Sequence, residues 1–173
     1  LVNQTSAPVL NDFFGESFFT LLVAIEIALA GSFAVISGFF CDKIGRRRVA
    51  ILGFIMLGIG YASLGIFPQN MISWYFYTVV DGVAWGIFYS IFFTTIWGDL
   101  ASGVPSEKYY AIGGLPYLLS NFLRFVLGRY IAETVAIYTI FSLASFFLFL
   151  AVLPLMFAPE TLPEKRIRER ELK

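Results

Sequence analysis

The chain has no histidine and a single cysteine, Cys41, in 173 residues. The first absence removes the side chain most used for acid–base chemistry near neutral pH and for metal ligation. The second excludes an internal disulfide. Charge is also sparse: Asp, Glu, Lys and Arg make up 14% of the chain, twelve acids against twelve bases, for a formal net charge of zero. Phosphate loops, nucleotide fingerprints and nucleophile elbows are all missing, which speaks against ATP-driven transport and hydrolytic chemistry. A polytopic membrane enzyme would need a cluster of His, Asp or Cys near one interface, and none is visible. The chain is therefore expected to be no enzyme, with no cofactor, no metal and no nucleic-acid partner. It also shows no basic stretch followed by a short apolar core and a small-residue cleavage site, so the first apolar run is expected to direct insertion itself.

What the sequence does have is apolar surface. Hydrophobic residues reach 58%, with 20 Phe, and the mean hydropathy is +0.79, so the natural solvent is lipid. Apolar runs at about 17–40, 49–67, 71–97, 109–132 and 135–157 each reach the ~20 residues needed to cross a hydrocarbon core of ~30 Å. Strand barrels need shorter segments that alternate polar and apolar, and these runs are apolar all round. The expected architecture is an all-α transmembrane, polytopic helix bundle. Five spanning helices occupy residues 17–158, between an external segment, 1–16, and a charged tail, 159–173.

The basic residues orient the bundle. Lys43 and Arg46, Arg47 and Arg48 follow the first run, Lys108 follows the third, and Lys165, Arg166, Arg168, Arg170 and Lys173 lie in the tail. All fall on one side, which the positive-inside rule makes cytoplasmic, leaving the N-terminal segment external in a multi-pass protein of the cell membrane.

The most informative stretch runs from Gly38 to Arg48. Its pattern, Gly38, Asp42, Lys43, Gly45, Arg46, Arg47, Arg48, resembles position by position the loop signature of the major facilitator superfamily of transporters. In that family the basic hairpin occurs once in each half, between its second and third helices, with four helices following; four apolar runs follow here. Pro159, Glu160 and Thr161 resemble the element that closes the last helix of sugar-porter-like members, although Leu162 and Pro163 come next where a small or basic residue and Gly are usual. The resemblance implies five of the six helices of a C-terminal half, the first helix and the N-terminal half lying upstream of Leu1. It implies a secondary active symporter of a small solute, such as a sugar, an organic acid or another metabolite, working by alternating access with a proton or cation as coupling partner. A non-transporting sensor or scaffold on the same fold is the alternative.

The resemblance also implies that Gly38, Asp42, Lys43, Gly45, Arg46, Arg47 and Arg48 form a charged clamp holding one conformational state. On chemistry alone, Gly38 would permit close helix approach and Gly45 a tight turn, while a role in topology alone is the other reading of the charges. Within the runs, Glu26, Asp81 and Arg124 are the ionisable residues; counting ~1.5 Å of rise per residue puts them ~14, ~15 and ~12 Å from the external ends of their helices. A charge at that depth costs several kcal/mol unless paired or facing water, so the three mark either a solute or proton path or a structural ion pair. Asp81 is the preferred functional acid, because Gly82 and Gly86 leave room beside it, with Glu26 as the partner of Arg124 or the reverse. Tyr117, Asn121 and Arg124 recur at spacing four then three beyond a kink expected at Pro116, forming a polar stripe suited to solute contact. Gly38 and Gly86 are read as packing positions, Gly82 beside Asp81 as a flexible point suited to gating, and Trp74 and Trp97 as interfacial anchors.

Overall fold

The computed structural model describes residues 9–96, 115, 118, 119, 121, 122, 125, 126 and 135–158. Helix α1 spans Glu16–Ile44, α2 Arg46–Ile66 and α3 Met71–Phe88, the last continuing as a π-helix, Tyr89–Ile96. Helix α4, Ile137–Phe157, corresponds to the fifth apolar run. No strand occurs among the described residues. Glu16–Ile44, Arg46–Ile66 and Thr139–Phe157 are long and apolar enough to cross a membrane. The architecture is the all-α polytopic bundle that the apolar runs predict.

The basic segment is a tight hairpin turning at Gly45, and its helices extend further than the apolar runs that stop near residues 40 and 49. Helix α1 carries on through Asp42 and Lys43 to Ile44, and α2 begins at Arg46, so a single residue joins them. Nothing between Cys41 and Ile44 breaks a helix, and Lys43 in the last turn faces the negative end of the helix dipole. Gly45 makes the turn with φ 104° and ψ 145°, a conformation that costs glycine little, while its N–H still donates to the Cys41 carbonyl at 3.2 Å. At the other end, residues 9–14 are helical, Gly15 interrupts the helix with φ 85°, and Val9 and Leu10 are buried in the core. Part of the N-terminal segment thus packs on the bundle, because its apolar side chains find a partner there.

Helix α3 forms the centre, packed between α1 on one side and α2 on the other, with α4 against the far face of α2. Its register with α1 is parallel: Gly82 meets Glu26 and Leu29, Gly86 meets Ala30 and Phe33, and Gly38 meets Ser90. Helix α2 runs antiparallel to α3, with Gly53 against Phe88 and Gly60 against Tyr77. It is also antiparallel to α4, with Gly65 against Ser142 and Gly58 against Phe149. Asn70 caps α3 by accepting from the Ile72 N–H at 3.0 Å, closing the short turn after α2. Trp74, expected as a lipid-facing anchor, is 1% exposed. Its indole N–H donates to the Pro68 carbonyl at 2.7 Å, and its ring meets Tyr77 and Phe141 edge-on. A buried indole with a partner for its N–H is stable inside the protein and needs no lipid headgroup.

Candidate coupling site within the membrane

The α1–α3 crossing is built on Gly82 and Gly86, one turn apart. A Cβ at Gly82 would lie 2.8 Å from Leu29 Cβ and 2.9 Å from the Glu26 carbonyl oxygen. One at Gly86 would lie 2.7 Å from Phe33 Cβ and 2.8 Å from the Ala30 carbonyl oxygen. The two backbones therefore touch, as small-residue pairs allow in membrane helices. Ser37 stitches the same crossing, its hydroxyl donating to the Gly86 carbonyl at 3.3 Å. Packing alone accounts for both glycines.

This close approach brings two acids together. Asp81, next to Gly82, is 0% exposed, and the half-buried Glu26 carboxyl lies beside it, near enough for a proton on one to bridge to the other. Tyr77 lies one turn before Asp81 on α3, and its hydroxyl is 3.2 Å from that of Tyr61 on α2. Both tyrosines are 4% exposed, and both lie within electrostatic reach of the two carboxyls. Three helices thus contribute to one polar cluster, Glu26, Asp81, Tyr77 and Tyr61, inside an otherwise apolar core. The partner the structure gives Glu26 is Asp81; Arg124 lies outside the described residues, as does Tyr117. Asn121 is exposed.

The tyrosines went unnoticed in the sequence. Tyr77 had a signal, its spacing of four from Asp81 on one helix, whereas Tyr61 reaches the cluster only through the α2–α3 register.

Asp42, Lys43 and Arg48 are exposed, and Arg46 is 7% exposed. Asp42 makes no ion pair among the described residues. Arg47 crosses to the end of α4, where one guanidinium nitrogen donates to the Ala158 carbonyl at 2.8 Å and to that of Met156 at 3.3 Å. It thereby satisfies carbonyls that a helix C-terminus leaves without partners. Gly38 is a looser point: among the described residues a Cβ there would meet Ser90 Oγ alone, at an ordinary 3.5 Å. Pro159, Glu160 and Thr161 lie outside the described residues. Among those described, no group of three His, Cys, Asp or Glu is placed to hold a metal ion.

A polytopic bundle with acids buried at mid-depth in its helix crossings has the construction of a membrane transporter. Residues 2–172 match the family model of the Major Facilitator Superfamily, and the chain belongs to that superfamily. It is 25% identical over 134 residues to the multidrug transporter protein MdtP of Bacillus subtilis (strain 168), a match covering 78% of this chain and 24% of that protein. The chain thus spans about a quarter of the length of this relative. No solved structure matches it.

Proposed function

We propose that this chain is one helical half of a secondary active transporter that moves a small organic solute by alternating access, with the Glu26–Asp81 pair as its proton site. The observation that carries the reading is the meeting of two carboxyl groups at the α1–α3 crossing, one of them wholly buried. An ionised carboxylate only accepts hydrogen bonds, so a bond between two carboxyls holds a proton. Like charges that close in a medium of low polarity do not both ionise. Losing the shared proton leaves a second negative charge at mid-membrane, which costs several kcal/mol until water or a cationic group reaches it. The protonation state therefore biases the conformation that opens the pair to water, and that bias is what couples a proton gradient to a solute.

A second half completes the path, and the Gly45 end faces the cytoplasm of a cell whose plasma membrane holds the protein. Symport of a sugar, an organic acid or another metabolite is the first reading. The Bacillus relative is a multidrug transporter, which supports a second reading in which the solute is a drug-like compound; we take it to leave as protons enter. Both use the same pair and differ in whether solute binds the protonated or the deprotonated state.

The test is reconstitution of the full-length protein in liposomes, comparing solute exchange at equal pH with accumulation driven by a pH gradient. Asp81→Asn is expected to keep exchange and lose gradient-driven accumulation. If Asp81→Asn accumulates solute at the parent rate with unchanged pH dependence, the pair is structural. A parent protein that exchanges no solute supports the sensor or scaffold reading.

A further inference from the structure

Helices α1 and α2 are joined by one residue but both lean on α3, and their outward faces separate into a groove of about 420 Å³. Its walls are Phe33, Ile36 and Phe40 of α1 and Leu52 and Met56 of α2, with Ile87 of α3 as floor. From Phe33 to Ile44 the groove follows twelve residues of α1, ~16 Å at the helical rise. That equals the depth of one leaflet, half of a ~30 Å core. At the Gly45 end the lining changes character, and Arg48 stands at the mouth with its side chain exposed. Arg47 is engaged with α4 and Arg46 is buried, so Arg48 is the arginine presented to the bilayer surface. Exposed Lys43 cancels the charge of its neighbour Asp42, which leaves the charge of Arg48 uncompensated by either.

We propose that this groove binds an anionic phospholipid of the leaflet at the Gly45 end, one acyl chain lying between α1 and α2 and the phosphate on Arg48. The occupant follows from shape and charge together. A helix of the same length, ~10 Å across, would fill ~1,200 Å³, several times the space present. A free anion would find Arg48 but leave the apolar walls unfilled. An acyl chain ending in a phosphate fits the length, the apolar lining and the cation at one end.

Native mass spectrometry of the detergent-solubilised full-length protein tests this with phosphatidylglycerol and phosphatidylcholine as probes. One phosphatidylglycerol should be retained in preference to phosphatidylcholine. Arg48→Gln should weaken phosphatidylglycerol retention about fivefold, the effect of one basic residue at a membrane surface, and leave phosphatidylcholine unchanged. Arg48→Lys should keep the preference, and Leu52→Trp, which fills the groove, should weaken both lipids. Equal phosphatidylglycerol binding by parent and Arg48→Gln, or no effect of Leu52→Trp in a variant that melts like the parent, overturns the proposal. Displacement of the lipid by glycerol 3-phosphate also overturns it, because the site would then recognise a soluble anion.

Discussion

The α1–α3 and α2–α4 contacts both use glycine, and they use it differently. Between α1 and α3, Gly86 faces Phe33 Cβ, the Ala30 carbonyl and the Ala34 nitrogen, atoms fixed by the helix itself. Between α2 and α4, Gly58 faces the ring of Phe149 at 3.0 Å, a side chain with torsions free to move, and Ser145 donates to the Gly58 carbonyl at 2.8 Å. The first contact is rigid and carries the acids. The second is adjustable at Gly58, tight against Ser142 at Gly65, and joined by Arg47 at the helix end, but among the described residues it carries no carboxyl. Chemistry that needs two carboxyls at fixed separation is found where the backbones cannot yield.

The strongest way to break this comparison is to insert one methyl group on each side of it. Gly86→Ala should destabilise the bundle by ~1–3 kcal/mol, the usual cost of overpacking, with gradient-driven transport lost as Glu26 and Asp81 separate. Gly58→Ala should cost less than ~1 kcal/mol, because the Phe149 ring swings aside. Thermal melting in detergent reads both, and equal losses would erase the distinction between the two contacts. Next in size, Tyr61→Phe removes the hydroxyl pair with Tyr77 and should cost ~1 kcal/mol, with transport slowed and the fold intact. Unchanged melting and transport would confine the cluster to the two acids.

Arg47→Ala should cost ~0.3–1 kcal/mol by uncapping α4, with faster hydrogen exchange confined to its last turn. Exchange that rises throughout α4 would show that Arg47 holds the whole helix in place. The smallest effect is expected for Gly38→Ala. A Cβ there makes only ordinary contact, so melting should stay within ~0.5 kcal/mol of the parent or rise slightly with the better helix former. A loss comparable to that of Gly86→Ala would restore Gly38 as a point of close approach.

Helix type and approximate extent were legible because apolar run length is a property of local sequence. Counting helical rise also put Glu26 and Asp81 at one depth, which is the condition for their meeting. That they meet depends on the α1–α3 register, which no run length encodes, and the same holds for Tyr61 and for the reach of Arg47 to Ala158. The joint was legible at Gly45, read as a tight turn, but the helix ends were not: the apolar runs stop near residues 40 and 49, whereas Asp42 and Lys43 are compatible with helix and only Gly45 needs the turn. Trp74 was misplaced because an aromatic residue at a helix end reads alike whether lipid or protein surrounds it.

That joint has a mechanical consequence. A loop of several residues would absorb a rocking motion of α1 as slack, but Gly45 offers two backbone torsions and no spare length. Any tilt of α1 must appear either as rotation about those torsions or as movement of α2, and through Arg47 it reaches the far end of α4. The three helices act as a crank with one pivot, in which displacement at the acid pair is delivered to the opposite side of the bundle with little lost travel.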